Sequence, residues 1–218
     1  MAYSDKQNVL AAILECAKLY EQYLNNRNYL FIMGKPNQYF YIETFAQGSN
    51  FKHLMGINTV NNISAIDFYD ACLNGKFSLS DFTLKADGTS VQKSKISRNL
   101  MKIHKNARMY GEFSSTSGMV LKSEKLIGHV SGCIGYEKDN SGFYIPNTLL
   151  FDNIKDKSSK RQVHQVVAVY AKSKYEKLYS QNCYIATKSD VSKIPLKEIV
   201  WHNKEIEGKI DNCNLYFE

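Results

Sequence analysis

The amino-acid sequence predicts an α+β fold, with helices concentrated in the first half and an antiparallel sheet in the second. Two observations carry this. Apolar residues recur at helical spacing in several stretches up to Arg108, whereas beyond Tyr110 they alternate with period two. The period-two runs are short and are separated by clusters such as Asp139-Asn140-Ser141-Gly142. Such short returns suit antiparallel neighbours and leave no room for βαβ crossovers. Helices first and strands second is the order of an α+β fold.

Taken in order, Ser4-Asp5-Lys6-Gln7 has the form of a capping box, and Val9, Leu10, Ile13, Leu14, Ala17, Tyr20 and Leu24 then form one apolar stripe. Asn25 to Asn28 ends this helix. A strand pair follows, Tyr29–Met33 and Tyr39–Phe45, joined by the turn residues Gly34-Lys35-Pro36-Asn37. Phe51 to Gly56 reads as a short helix ended by Gly56, and Ser64 to Asn74 as another, with Ile66, Tyr69, Ala71 and Leu73 available for packing. Lys93 to Arg108 is the strongest helical pattern, placing Ile96, Leu100, Ile103 and Ala107 on one face and Lys95, Arg98, Lys102 and Lys105 on another. Strands are expected at 109–115, 119–121, 126–136, 143–145, 163–172 and 183–186. Ser114 to Gly118 reads as a hairpin turn, Lys155 to Arg161 as a charged loop and Lys188 to Phe217 as a wrap over the sheet edge.

A chain of 218 residues supports one sizeable core, here divided into an N-terminal helix (1–27), a central body (28–187) and a C-terminal wrap (188–218). Hydrophobic and charged fractions of 44% and 22% are ordinary for a folded domain. The formal charge of +7 favours a polyanionic partner, RNA before DNA, although solubility alone is the plainer explanation of modest charge. Residues 85–110 hold seven Lys or Arg against the single acid Asp87, so the Lys95/Arg98/Lys102/Lys105 stripe is the expected nucleic-acid surface. No apolar run reaches the roughly 18 residues that span a bilayer, and the opening residues do not read as a secretory signal. Five scattered cysteines without a C-x-x-C pair suggest reduced thiols and a cytoplasmic protein, with no membrane, metal or cofactor expected.

Neither a P-loop, a G-x-G-x-x-G, an H-E-x-x-H nor an EF-hand loop is present. His53, flanked by Phe51 and Leu54, is a candidate acid or base, against the alternative of a half-buried histidine packing a helix start. Alternation along the strand 163–172 puts His164, Val166, Ala168, Tyr170 and Lys172 on one face. Tyr170 and Lys172 then suit a phosphate, or simply a polar strand end. Thr148, after Pro146-Asn147 in what reads as a strand-to-loop corner, offers a hydroxyl to a phosphate or caps the next turn.

Three of these elements, Asn50-Phe51-Lys52-His53-Leu54-Met55-Gly56, Pro146-Asn147-Thr148-Leu149-Leu150-Phe151-Asp152 and Val166-Val167-Ala168-Val169-Tyr170-Ala171-Lys172, resemble in order and spacing the fourth phage subgroup of the barnase–EndoU–colicin–RelE-like nucleases, over roughly residues 28–187. The resemblance implies N-terminal helices packed on a curved antiparallel sheet. It also implies metal-independent RNA cleavage through a 2′,3′-cyclic phosphate. That chemistry takes a base, an acid and positive charge for the phosphorane. The resemblance assigns His53 as acid or base, Lys172 as charge stabiliser, Thr148 as orienting hydroxyl and Tyr170 to positioning, with His129 or His164 as a source of a second histidine.

Three functions follow as expectations: an endoribonuclease serving as toxin or effector of a phage or mobile element, a non-catalytic nucleic-acid binder centred on the basic stripe, or a phage counter-defence protein that inhibits a host partner.

Overall fold

The protein, described by a computed structural model over residues 2–35, 38–114, 122–187 and 189, opens with α1 (Ala2–Tyr23). Val9, Ile13, Ala17 and Tyr20 bury the expected stripe, and Leu24 follows it into the core. Ser4 lies inside the first turn instead of capping it, because the helix already begins at Ala2. β1 (Arg27–Lys35) and β2 (Gln38–Ala46) pair as the expected hairpin, with Lys35 opposite Gln38. Gly34 is required there: at φ +134° a Cβ would stand 2.1 Å from the carbonyl oxygen of Gln38.

α2 (Phe51–Met55) ends in a left-handed Gly56 as predicted. β3 (Asn58–Thr59) pairs only with β4 (Phe82–Thr83), apart from the main sheet. α3 (Ala65–Leu73) is capped by Ser64, whose hydroxyl accepts the Asp67 amide. It buries Phe68, Tyr69 and Cys72, whereas Ile66, expected to pack, is 48% exposed.

The long helix expected over 93–108 is two helices, α4 (Thr89–Leu100) and α5 (Ile103–Asn106). A straight helix turns about 100° per residue and would swing Met101 away from Leu100's face. The break lets Leu100, Met101, Ile103 and Ala107 all be fully buried.

The sheet strands are β5 (Met109–Phe113), β6 (Lys125–His129), β7 (Gly132–Lys138), β8 (Tyr144–Leu150), β9 (Ser158–Ser173) and β10 (Gln181–Ile185), with α6 (Ile154–Lys157) before β9. The order is β1-β2-β8-β7-β6-β5-β9-β10, and β9 also pairs with β1. The 16-residue β9 therefore spans the gap, its first half on β5 and its second on β1. The curved sheet is thus closed into a seven-stranded barrel, with β10 alongside β9. Closure is weakest between β2 and β8, which meet at one parallel bridge, Thr44 with Tyr144.

Residues 155–161, expected as a loop, are α6 and the start of β9. Pro146 to Thr148 lies within β8 and is not a corner. Pro146, lacking an N–H, sits where the β7–β8 register shifts, the position in a sheet that tolerates proline. The expected turn at 115–118, the strand 119–121 and the wrap beyond 189 lie outside the described residues.

The main core joins the inner strand face to α1–α4 through residues such as Phe31, Phe51, Leu100, Ile127 and Val169. Two smaller clusters lie on the outer face. Leu30, Ala168, Tyr170 and Tyr179 form one, and Leu126, Cys133, Leu150 and Ile154 the other. Cys16, Cys72, Cys133 and Cys183 are free thiols. Among the described residues no helix is long and apolar enough to cross a membrane.

Candidate active site

The barrel has two unlike ends. At one, α2 and α4 pack on β8, α4 on β7, and α5 on β6, β9 and β10. β5 starts there, directly after α5, and runs to the opposite mouth.

At that mouth, Tyr110 and Glu112 project from the same face of β5 because side chains alternate. Lys125 of β6 stands opposite Glu112, and His164 of β9 opposite Tyr110. Lys125 Nζ donates to Glu112 Oε1 at 2.7 Å, and the Tyr110 hydroxyl hydrogen-bonds within the same group. The hydrogen bond and charge of Lys125 hold the Glu112 carboxyl below the usual range despite some desolvation, and His164 acts in the same sense. Burial works to lower the proton affinity of Lys125, but Glu112 and Tyr110 outweigh it and the ammonium is held more firmly than usual. Burial raises the Tyr110 phenol, against the opposing charge of Lys125. His164 is exposed, with its ring edge-on to Phe40 at 4.9 Å, and Phe40 packs in turn on Tyr110 at 5.3 Å.

A bulge opens the sheet beside this group. Gly111 pairs with Val163 but Phe113 pairs with Ser158, so residues 159–162 leave the ladder next to Glu112. Lys160 within it adopts φ +51°, a conformation uncommon outside glycine. Gly111 admits the crossing: a Cβ there would meet Ser158 Oγ at 2.0 Å, and that hydroxyl donates to the Ile154 carbonyl at 2.6 Å. A carboxylate, an ammonium, an imidazole and a phenol therefore share one face of three neighbouring strands, beside a gap. They supply a base, an acid and a fixed positive charge.

Of the residues named from sequence, His164 belongs to this group and the others lie elsewhere. His53 is on the exposed side of α2, at the helix-packed end. Thr148 is buried in β8 and accepts a hydrogen bond from Lys93 Nζ at 2.9 Å. Lys93 is itself buried, its side chain lying where a Cβ on Gly56 would be, 2.6 Å from Cδ. Burial first, then the charge of Lys85, brings its pKa down to about 8, with Asp87 opposing. Lys172 and Tyr170 belong to the outer wall. Lys172 Nζ lies 4.6 Å above the Tyr179 ring and donates to the Lys177 carbonyl, and Tyr170 packs in the outer cluster with Tyr179.

The single face expected for β9 is divided by a bulge: Ile32 pairs with Ala168 and Met33 with Val166, leaving Val167 extra. His164 and Val166 consequently face inward, while Ala168, Tyr170 and Lys172 face outward. Of the basic stripe, Lys95 is exposed and Arg98 is engaged by Glu15 of α1, while Lys102 and Lys105 belong to the separate turn of α5.

Sequence reading missed Tyr110, Glu112 and Lys125, which come together only through strand pairing. Lys93 had left a signal, because it falls on the stripe of Ile96, Leu100, Ile103 and Ala107. Among the described residues, no three His, Cys, Asp or Glu side chains are grouped to hold a metal ion. A cavity of about 490 Å³ lined by Glu21, Gln47, Tyr69 and Asp70 lies between α1 and α3, away from the mouth.

A family model described as phage-Barnase-EndoU-ColicinE5/D-RelE like nuclease4 matches residues 12–188. No curated protein and no solved structure matches the chain.

Proposed function

The chain belongs to the phage-Barnase-EndoU-ColicinE5/D-RelE like nucleases, in their fourth family, and from that premise we propose that it is a metal-independent endoribonuclease working at the mouth of the barrel where β5 ends. The Glu112 carboxylate takes the proton of a ribose 2′-hydroxyl, whose oxygen attacks the adjacent phosphorus. The P–O5′ bond breaks, and the imidazolium of His164 protonates the departing 5′-oxygen. The products are a 2′,3′-cyclic phosphate and a 5′-hydroxyl end. Proton exchange with water restores both side chains. Lys125 and the Tyr110 hydroxyl donate to the non-bridging oxygens as charge builds.

The Glu112–Lys125 hydrogen bond makes Glu112 a weak base in the free protein. An arriving phosphate competes for Lys125, and the carboxylate becomes more basic as that hydrogen bond is given up. One observation carries the reading: the joining of Tyr110, Glu112, Lys125 and His164 beside the β9 bulge. In this reading the protein is a toxin or takeover effector of a phage or mobile element.

A second centre is favoured by one feature, the buried Lys93 bonded to Thr148 with His53 one turn from Gly56. There Lys93 would carry the stabilising charge that the family resemblance gives to Lys172. The deciding experiment is cleavage of labelled RNA in EDTA by wild type and by Glu112→Gln, His164→Ala, His53→Ala and Lys172→Ala. Cyclic-phosphate ends that vanish in the first two variants and persist in the others support the mouth. Loss confined to His53→Ala or Lys172→Ala moves the chemistry away from it. RNA that shifts on a gel but stays intact leaves a binding module.

A further inference from the structure

We infer that Lys102, Lys105 and Arg108, at the helix-packed end of the barrel, form a second binding surface for the phosphate backbone of the RNA whose cleavage is proposed above. The inference rests on that reading for the identity of the RNA, but its own evidence is separate. Residues 88–111 contain no Asp or Glu, so the chain here carries no acid of its own to neutralise the surface. The break after Leu100 divides the basic residues of this segment into two groups. Arg98 is spent on Glu15, whereas Lys102, Lys105 and Arg108 are all exposed and none forms an ion pair among the described residues.

Arg108 is also held in place without a carboxylate. Its guanidinium lies 4.3 Å over the Tyr184 ring of β10, and Nη1 donates to the carbonyls of Lys105 and Ala107 at 2.8 Å each. A guanidinium fixed by an aromatic face and two carbonyls keeps its full charge and has already lost its rotamer freedom, the condition in which an anion gains most from it. The field is felt by its neighbours: the charge of Lys105 adds to burial in depressing His104, and that of Arg108 does the same to His129.

The placement also fits a single bound strand. Arg108 directly precedes β5 and Glu112 lies near its far end, so the two backbones are roughly 13 Å apart at the rise of a β-strand. That is within the span of single-strand sites covering about four nucleotides or more. RNA cut at the mouth therefore reaches the helix-packed end only when it is long enough, and affinity should depend on length.

The test uses the full chain and single-stranded RNA with 2′-methoxy groups, which cannot be cleaved, in lengths of about three and about twelve nucleotides. Lys105→Gln combined with Arg108→Gln is expected to weaken the longer RNA about tenfold and to lower its salt slope by roughly 1 to 1.5, the loss of two phosphate contacts. Binding of the short RNA, and cleavage of its unmodified counterpart, should not change. Unaltered affinity and salt slope for the long RNA would overturn the inference, including the case in which the surface serves an acidic protein. If wild type cleaves neither length yet long-RNA binding still depends on these residues, the surface stands and the catalytic reading falls.

Discussion

The two ends of the barrel hold their cations in opposite ways. At the mouth, Lys125, its side chain 20% exposed, is paired with the buried Tyr110 and with Glu112, which is 63% exposed. At the helix-packed end, Lys93 is 7% exposed and has a threonine hydroxyl as its hydrogen-bond partner. A half-buried cation paired with an exposed carboxylate costs the fold less and can change partners. A buried amine with only a neutral partner makes the fold less stable, and a ligand reaches it only if the helices above it move. The contrast fits the proposed division, with turnover at the mouth and structure or a bound backbone at the helix-packed end.

The largest effect that would break this contrast is on catalysis. Glu112→Gln and His164→Ala should each reduce single-turnover RNA cleavage by about 10²–10⁴-fold, the range for loss of a general base or acid. Circular dichroism should change little, and stability read from melting should fall only modestly, by about 1 kcal/mol for the lost Lys125 hydrogen bond in Glu112→Gln and less for the His164 ring contact with Phe40. His53→Ala should alter the rate by less than about threefold. A catalytic loss at His53 equal to that at Glu112 would reverse the assignment of the two ends.

Next in size is the stability effect at Lys93. Its folded pKa, about 8, lies below the ordinary lysine value of 10.5, so between these values the unfolded chain binds more protons than the folded one. Stability therefore rises as pH increases through that window, by about 3 kcal/mol at most for a shift of this size. Lys93→Met removes the ammonium while keeping the stem that packs at Gly56. It should raise stability near pH 7 by about 1–3 kcal/mol, after loss of the Thr148 hydrogen bond, and flatten the rise between pH 8 and pH 10. Urea titrations at pH 7 and pH 10 check both. A Lys93→Met protein that is more stable but inactive would make the second centre catalytic.

How far the sequence reveals these two ends differs for a physical reason. α1, the β1–β2 hairpin, α2 and α3 were readable because caps, glycine stops and periodicity act within a few residues. The proposed site was not, because Tyr110, Glu112, Lys125 and His164 are adjacent only through the pairings of β5 with β6 and β9. Local signals also misled where a bulge intervened: strict alternation grouped His164 with Tyr170 and Lys172, and the single extra residue Val167 separates them. Barrel closure was hidden for a similar reason, since it depends on β9 being long enough to pair with both β5 and β1. Lys93 was legible in principle. A lysine on an apolar stripe conflicts with its neighbours, and the conflict marks a buried charge.

A smaller effect tests whether the bulge shapes the mouth. Gly111→Ala forces a Cβ against Ser158 Oγ, and should destabilise the protein by about 1–3 kcal/mol, the usual cost of overpacking. Adding Ser158→Gly removes the obstructing atom. The pair should then cost less than the sum of the single variants in a double-mutant cycle read by urea unfolding. Additive costs would mean that the Gly111–Ser158 contact does not set the crossing of β9 over β5.

The smallest expected effect separates the two halves of the basic segment. Arg98 and Glu15 form an ion pair between α4 and α1 with side chains 42% and 54% exposed. Solvent screens such a pair, and Arg98→Ala should cost no more than about 0.2–1 kcal/mol in thermal or urea unfolding. Its value as a control lies in binding. If the original stripe of Lys95, Arg98, Lys102 and Lys105 acted as one surface, Arg98→Ala would weaken long RNA as much as Lys105→Gln does. Because Glu15 already neutralises Arg98, and the break after Leu100 turns α5 away from α4, its removal should leave RNA affinity and salt slope nearly unchanged. Equal losses at Arg98 and Lys105 would restore the continuous stripe and extend the binding surface back along α4 towards Lys95.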